Sequence, residues 1–346
     1  MPKGVGAMER RSRMPAIVVV TVSVVMATAI PAAVPAPGPQ PIRVAIPAYN
    51  MSLSPVFLAD TNGYYKRHGL SATVVQLNGS TVTSAALESG NIDFEVTGAA
   101  PFLLSVATGL PFIAVAVINR GFTSQVVVST RYLATHPIPA GATLGRRAAV
   151  IRDATMGMVS TTDIATAKYL LQFADPPAAE FRPVKMRDQE GAIAALQSGD
   201  VDVVILSPPQ SFQAEAQGFG KVILNTRDVP GLGTVPYDVA ATTRAYAQAH
   251  PDVVHAFLAA LEEALADVAG RSPRVLDFER SRYPTLPLAV IKRTLDFLRL
   301  TPYQPMKAEQ WRGLEKFMSL GGQLKTPYTM EEDRDWTNRF MPARPR

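Results

Sequence analysis

Short polar segments follow several apolar runs of the chain, each where a predicted strand gives way to a predicted helix. Gly79-Ser80-Thr81, Thr97-Gly98-Ala99 and Ser160-Thr161-Thr162 are the three clearest cases. The first turn of a helix carries free backbone N–H groups and the positive end of the helix dipole, and both favour an oxyanion. The same residue types serve as ordinary helix caps. These segments are therefore candidates for an anion site or for capping alone.

Further candidate contacts lie in loops at the ends of other predicted strands. An arginine can pair with an anion directly, and a tyrosine can stack on a ligand. A solvent-exposed loop or ordinary packing would explain the same residues equally well. These candidates are Tyr49, Asn50, Met51, Ser52, Asn119, Arg120, Ser207 and Tyr237.

Two stretches of the chain repeat one pattern. Residues 86–96 read ALESGNIDFEV and residues 195–205 read ALQSGDVDVVI. Each reads as a helix end, a glycine stop, an acidic turn and a buried strand, so the repeat predicts two similar α/β lobes. We expect Asp93 and Asp202 to bond nearby backbone donors in these turns. Because ligands of open α/β sheets bind beyond the carboxyl ends of the strands, two such lobes predict a shared cleft.

Apolar runs that alternate with helical patterns predict mainly parallel sheets. From residue 244 onward the apolar spacing is helical, which predicts a helical cover on the back of the first lobe. Residues 131–154 have only a loose pattern. The predicted strands are 42–46, 73–77, 92–96, 112–118, 125–129, 156–159, 181–186, 202–206 and 221–225, and the predicted C-terminal helices are about 251–268, 287–299 and 307–319.

The N-terminus has the pattern of a secretory signal. Three arginines precede an apolar run over 14–30, and a stretch of small residues and prolines follows. We expect residues 1–36 to be a cleaved signal peptide with its linker, with an uncleaved anchor as the alternative. This segment holds four of the 34 basic and one of the 29 acidic residues, so the net charge of +5 falls to +2 without it. The charge therefore does not indicate nucleic-acid binding.

The chain lacks the residues of several common kinds of site. It has no cysteine, which excludes disulfides, thiolate metal ligands and a cysteine nucleophile. Its four histidines lack metal-ligand spacing, and it has no Gly-x-Ser-x-Gly elbow or phosphate-binding loop. We therefore predict no metal, no cofactor and no catalytic residues.

The ordered set of motifs resembles the nitrate/sulfonate/taurine-type substrate-binding proteins of ABC importers. The resemblance covers about residues 42–320. It implies a type 2 periplasmic-binding fold with a ligand cleft between two lobes and the loop after the first strand at the cleft lip. Lobe I would comprise 41–127 plus 236–346, and lobe II 128–235. The resemblance rests on 42–46, 55–59, Gly63-Tyr64-Tyr65, Gly69-Leu70, 86–94, Gly109-Leu110-Pro111 and 195–202.

The chain departs from that family in two places. The entrance to the second lobe, 141–155, is longer and rearranged, and Ser207-Pro208-Pro209 stands where many members carry an aromatic or acidic residue. Both segments are expected near the cleft.

The resemblance implies a monomeric periplasmic protein that captures a small anion and delivers it to an ABC permease. Sulfonates, nitrate, taurine and aromatic carboxylates are all compatible. Neither nucleic acid nor stable membrane insertion after signal cleavage is expected. An enzyme acting on pyrimidine precursors or chorismate-derived acids is one alternative, and a ligand-sensing partner of a membrane receptor is another. A buried carboxylate or histidine in the cleft would favour the enzyme.

Overall fold

The computed structural model describes residues 38–342, except for the side chain of Thr161. Ten strands lie in this range: β1 (Gln40–Ile46), β2 (Leu70–Gln76), β3 (Phe94–Gly98), β4 (Phe112–Arg120), β5 (Gln125–Ser129), β6 (Thr155–Met158), β7 (Arg182–Lys185), β8 (Val203–Leu206), β9 (Gly220–Asn225) and β10 (Pro236–Thr243).

Fourteen α-helices lie in the same range, together with single turns of 3₁₀ helix at Met51–Leu53 and Thr226–Asp228. The helices are α1 (Ser54–Thr61), α2 (Tyr64–Arg67), α3 (Ser80–Glu88), α4 (Ala99–Ala107), α5 (Thr130–Thr135), α6 (Leu144–Asp153), α7 (Thr161–Leu171), α8 (Gln189–Ser198), α9 (Gln210–Ala216), α10 (Arg244–Ala249), α11 (Pro251–Ala269), α12 (Pro273–Arg282), α13 (Leu288–Leu298) and α14 (Ala308–Leu320).

The strands form two five-stranded sheets of the same design. The first has the order β2-β1-β3-β10-β4, and the second has the order β7-β6-β8-β5-β9. In each sheet four strands point the same way, and one strand, β10 or β5, runs against both of its neighbours. The predicted fold of two mainly parallel sheets flanked by helices is confirmed. The predicted lobe boundary at 127/128 falls inside β5, which pairs within the second sheet.

Two short crossovers, 121–124 and 226–235, join the sheets. The first crossover runs from the end of β4 to the start of β5, and the second from the end of β9 to the start of β10. Both therefore connect the carboxyl-end edge of the parallel strands in one sheet to the corresponding edge of the other sheet. The crossovers are bonded to each other, because Gly121 N–H donates to the Val235 carbonyl at 2.8 Å. Gly121 has φ 78°, and a Cβ there would lie 2.6 Å from the Gly233 carbonyl oxygen. This close approach requires glycine.

The repeated acidic turns are structural, as the sequence predicted. Asp93 accepts a hydrogen bond from the backbone N–H of Arg43 at 2.7 Å, and Asp202 accepts one from the backbone N–H of Thr155 at 3.0 Å. In both sheets the aspartate thus joins the start of one strand to its parallel neighbour. The glycine that ends the helix in the second repeat is Gly199, with φ 86°.

The C-terminal helices do more than cover the first sheet. The long helix α11 packs on α1 and α2, whereas α14 packs against both α4 beside the first sheet and α7 beside the second. Phe317 of α14 is fully buried, and its ring lies 4.5 Å from Phe122 of the first crossover and 5.6 Å from Tyr169 of α7. The predicted helical cover is thus present, and α14 in addition joins the two halves.

The loosely patterned stretch 131–154 contains two helices, α5 and α6, separated by a loop with two prolines and a glycine. Gly145 of α6 lies against residues 173–175, beyond the end of α7, and not against the start of α7. Open grooves of about 760 and 600 Å³ flank the loop 137–142.

Candidate functional site

The starts of α3 and α4 lie at the edge of the first sheet next to the crossovers. Their N-cap residues are Gly79 and Gly98, and neither helix start has a side-chain cap. Each helix is nine residues long, and the first turn of α3 offers the backbone amides of residues 80–82. The first turn of α4 offers only the amides of Ala99 and Ala100, because Pro101 has no N–H. Ser80 and Thr81 form the first turn of α3. Thr97 is 1% exposed, and its Oγ1 has no hydrogen-bond partner in the described chain.

The start of α7, at the matching edge of the second sheet, is different because it already holds a carboxylate. Ser160 and Asp163 form a capping box in which Asp163 Oδ2 accepts the backbone N–H groups of Val159 and Ser160, both at 2.9 Å. Thr162 Oγ1 accepts a hydrogen bond from Gln323 Nε2 at 3.4 Å. The side chains of Ser160, Thr162 and Asp163 are thus engaged within the protein, and the side chain of Thr161 lies outside the described atoms.

Tyr49, in the loop after β1, faces α12. Its hydroxyl donates to Glu279 Oε2 at 2.8 Å, and its ring lies 5.6 Å from Phe57 and 5.8 Å from Tyr283. Glu279 is fully buried, and burial raises the pKa of its carboxyl to about 7. Met51 is also fully buried. This part of the loop is therefore fixed by packing.

Asn50 and Ser52 face the sheet edge and form a hydrogen-bonded chain that ends at Asp238. Asn50 Oδ1 caps the 3₁₀ turn by accepting the backbone N–H of Ser52 at 2.9 Å, and Ser52 Oγ donates to Asp238 Oδ2 at 2.7 Å. Asn119 Nδ2 donates to the same oxygen at 3.4 Å. Asp238 is 4% exposed, and burial raises the pKa of its carboxyl to about 6.

Tyr237, next to Asp238, links the two sheets. Its hydroxyl lies 3.5 Å from Ser207 Oγ at the end of β8, and its ring packs edge-on against Phe122 at 5.3 Å. Burial raises the pKa of this tyrosine, and the Asp238 carboxylate raises it further. Tyr237 and Ser207 are therefore neighbours across the junction, although about 30 residues separate them along the chain.

Arg120, the sequence candidate for a direct ion pair with an anion, is used elsewhere. Its Nη2 donates to the carbonyls of Gln304 at 2.6 Å and Pro305 at 3.4 Å, and burial lowers its pKa. Arg227 of the second crossover likewise donates to the carbonyl of Leu298 at 3.1 Å. Both guanidinium groups near the junction thus hold the C-terminal segment.

The structure therefore brings ten of the seventeen sequence candidates to one edge and turns three away, while Thr97 is buried in β3 and residues 160–162 form the start of α7. Tyr49, Met51 and Arg120 point into packed surroundings. Sequence reasoning missed Asp238, and the available signal was an acidic residue at the start of an otherwise apolar strand, next to the candidate Tyr237. The candidates near the junction of the sheets are Asn50, Ser52, Gly79, Ser80, Thr81, Gly98, Ala99, Asn119, Ser207 and Tyr237.

The chemistry available at this edge is hydrogen bonding. Within 38–342, no group of three or more histidine, aspartate or glutamate side chains is placed to hold a metal ion. The helix starts offer donors, and Asp238 and Asn119 offer acceptors. No helix in the described part of the chain is both long and apolar enough to cross a membrane.

Solved structures share this fold. The alkanesulfonate-binding protein SsuA from Xanthomonas axonopodis pv. citri, bound to MOPS, matches with a TM-score of 0.65 and 19% identity over 85% of this chain and 97% of that one. The periplasmic aliphatic sulphonate binding protein SsuA from Escherichia coli matches with a TM-score of 0.67 and 20% identity over 83% of this chain and 94% of that one. The periplasmic nitrate-binding protein NrtA from Synechocystis PCC 6803 matches with a TM-score of 0.58 and 16% identity over 81% of this chain and 80% of that one.

A family model supports the same grouping. The model of the NMT1-like family matches residues 37–271, which is more than half of the chain. A search of curated proteins gives no match.

Proposed function

The chain belongs to the NMT1-like family, and on that premise we propose that it is an extracytoplasmic solute-binding protein. It captures a small anion between its two sheets and delivers it to an ABC importer. The residues that contact the ligand are those at the junction of the sheets, from Asn50 in the first loop to Tyr237 beside the second crossover.

One observation carries the proposal. Two nine-residue helices, α3 and α4, start at the same edge of the first sheet with glycine caps and no side-chain acceptor. Free amides and the helix dipole at such a terminus stabilise an anion. An anion there needs no arginine, which agrees with the use of Arg120 to hold the C-terminal segment.

The connections between the sheets support capture by closure. Two short crossovers join the sheets, and hinges of this kind let one lobe rotate towards the other around a ligand. Ser207 and Tyr237 contact each other across the junction, so closure would bring polar groups from both sides to the ligand. The closed form would then be the one that a permease recognises.

The proposed location follows from the same function. A protein that feeds an importer works outside the cytoplasmic membrane, and SsuA from E. coli and NrtA are both described as periplasmic. The predicted signal in 1–36 would export the chain, although it lies outside the described residues. We propose a monomer whose partners are the ligand and the permease.

An enzyme on the same fold is the second candidate, and Asp238 is the observation that favours it. Burial raises the pKa of this carboxyl to about 6 at the proposed ligand edge, which brings it towards the range of a general acid or base. A binding protein would return its ligand unchanged, whereas an enzyme would not.

A thermal-shift screen of the purified protein tests the proposal. The panel contains nitrate, alkylsulfonates, taurine, aromatic carboxylates and pyrimidine precursors, and bound compounds are recovered and identified by mass spectrometry. A ligand at a hundred times its dissociation constant adds about 2.7 kcal/mol of stability. Stabilisation with the compound recovered unchanged supports capture. Conversion of the compound favours the enzyme, and no stabilisation by any anion in the panel contradicts the proposal.

A further inference from the structure

The helix α13 contacts both halves of the molecule. Its buried residues Ile291, Leu295 and Leu298 belong to the apolar core that also contains Ile42 and Val44 of the first sheet. Other residues of α13 contact α9, a helix that packs on β9 and β5 of the second sheet. This helix is thus fixed to the first half by its apolar face and meets the second half at α9.

Two side chains of α13 make the contact with α9. Arg293 Nη2 lies 2.7 Å from Glu215 Oε2, and the Cζ of the same arginine lies 3.9 Å from the centre of the Phe212 ring. The ring of Phe297 packs edge-on against Phe212 at 5.7 Å. An ion pair, a cation–π contact and an aromatic pair therefore meet at one place between the two halves.

The two partners on α9 are themselves fixed within the second half. Glu215 Oε1 accepts the backbone N–H of Val222 in β9 at 2.9 Å, and Phe212 is only 3% exposed. Because neither side chain rotates freely, little side-chain entropy is lost when Arg293 contacts them. The contact therefore holds the position of α9 as a whole and not only that of two side chains.

The end of α13 is also bound to one of the connections between the sheets. Arg227, in the second crossover, donates to the backbone carbonyls of Phe297 and Leu298, the second at 3.1 Å. These are carbonyls that the end of a helix leaves without a partner inside the helix. Since the halves would rotate about the crossovers, α13 bridges the two halves beside the axis of that rotation.

The position of α9 matters for the junction of the sheets. Ser207 lies between β8 and the start of α9, and its hydroxyl is 3.5 Å from that of Tyr237. A contact that keeps α9 against α13 therefore also keeps Ser207 beside Tyr237. We call the arrangement in which these two hydroxyls are neighbours the closed arrangement.

We infer that Arg293, Glu215 and Phe212 form a latch that holds the two halves in the closed arrangement before any ligand binds. This inference rests on the lobe closure of the proposed function and adds the residues that set its equilibrium. The apparent affinity for a ligand that binds the closed form is proportional to the fraction of closed molecules. The latch therefore raises affinity without touching the ligand.

The distance between the free edges of the two sheets tests the inference. The chain has no cysteine, so two introduced cysteines are the only sites for spin labels. Gln76→Cys at the end of β2 and Lys185→Cys at the end of β7 are both exposed positions. These strands are the outermost ones of their sheets, at the opposite edges from β4 and β9, where the crossovers are attached. Pulsed electron paramagnetic resonance of the ligand-free protein then measures the opening directly.

The expected change follows from the contacts that a substitution removes. An exposed ion pair and a cation–π contact each shift an equilibrium by roughly two- to fivefold. In Arg293→Gln we expect the ratio of long to short label distances to rise by about threefold or more. Glu215→Gln, which keeps an acceptor for the Val222 N–H, should give a smaller rise. Lys292→Gln is the matched control, because it removes the same charge from an exposed neighbour of Arg293 and should leave the distances unchanged.

The outcomes separate the latch from the function on which it rests. Unchanged distances in Arg293→Gln, or a shift to shorter distances, would overturn the latch. An equal rise in Lys292→Gln would mean that net charge and not the contact sets the equilibrium, and would overturn it as well. The measurement needs no ligand, so it still decides on the latch if no anion of the thermal-shift panel binds and the proposed function fails.

Discussion

Glu95 is a fully buried carboxylic acid in β3, the central strand of the first sheet. Its Oε2 accepts a hydrogen bond from Ser84 Oγ at 3.4 Å, and its Oε1 has no partner in the described chain. Burial raises the pKa of this carboxyl from 4.5 to about 8. Glu95 is therefore protonated in the folded protein at neutral pH and ionised in the unfolded chain.

The sign of the resulting pH dependence follows from these two values. Between pH 4.5 and 8 the folded state binds the proton and the unfolded state releases it, so stability falls as the pH rises through this range. Each pKa unit corresponds to about 1.4 kcal/mol. From pH 5.5 to 8.5 the contribution of Glu95 amounts to a loss of about 3 kcal/mol in the free energy of unfolding.

Replacing Glu95 by glutamine removes the titration and keeps the size of the side chain. We measure the free energy of unfolding at pH 5.5 and 8.5 by urea denaturation. The difference between the two pH values should be about 3 kcal/mol smaller in Glu95→Gln than in the wild-type protein. The control is Glu88→Gln, which removes an exposed carboxylate from α3 and should follow the wild type. If Glu95→Gln also shows the wild-type pH dependence, the carboxyl is not protonated in the folded state and the reasoning is wrong.

Two further substitutions test local features of the fold. Tyr49→Phe removes the hydrogen bond that the tyrosine hydroxyl donates to the buried Glu279 carboxyl and should lower the free energy of unfolding by about 1–2 kcal/mol in urea titration. Tyr283→Phe, in the same aromatic cluster, should lower it by less. Equal losses would contradict this role of the Tyr49 hydroxyl. Gly199→Ala introduces a Cβ at φ 86° against the guanidinium of Arg131. It should lower the free energy of unfolding more than Gly218→Ala, where φ is 79° and the Cβ meets open space. Similar losses in the two variants would mean that backbone strain alone acts at both sites.

Local patterns were sufficient to predict nine of the ten strands, but not β10, the strand that runs against both of its neighbours in the first sheet. Strands with continuous apolar runs, the repeated glycine stops and the acidic turns are signals within about ten residues, and the structure has each of them. Helices α5 and α6 were not predicted, because each is too short to show the 3.6-residue spacing of apolar residues and a loop with Pro137 and Pro139 separates them. The bridging role of α14 depends on contacts with distant elements, and no local pattern carries it.

The candidate site could be predicted in part for the same reason. Segments at strand ends are local features, so the helix starts at Gly79 and Gly98 were identified. The direction of Tyr49 depends on Glu279, which is 230 residues away along the chain. The direction of Arg120 depends on the Gln304 carbonyl, 184 residues away. Such partners become known only when the chain is folded.

The central claim is that backbone amides at the start of α3 contribute to holding an anion. Ser80 is the first residue of this helix, a position that tolerates proline, so Ser80→Pro deletes an N–H group and Ser80→Ala deletes only the hydroxyl. A hydrogen bond to a charged group contributes about 1.5–3 kcal/mol. The decisive measurement is the dissociation constant, by calorimetry, of the anion identified in the thermal-shift panel. We predict that Ser80→Pro weakens binding at least tenfold and that Ser80→Ala stays within threefold of the wild type. Wild-type affinity in a folded Ser80→Pro variant would contradict the account.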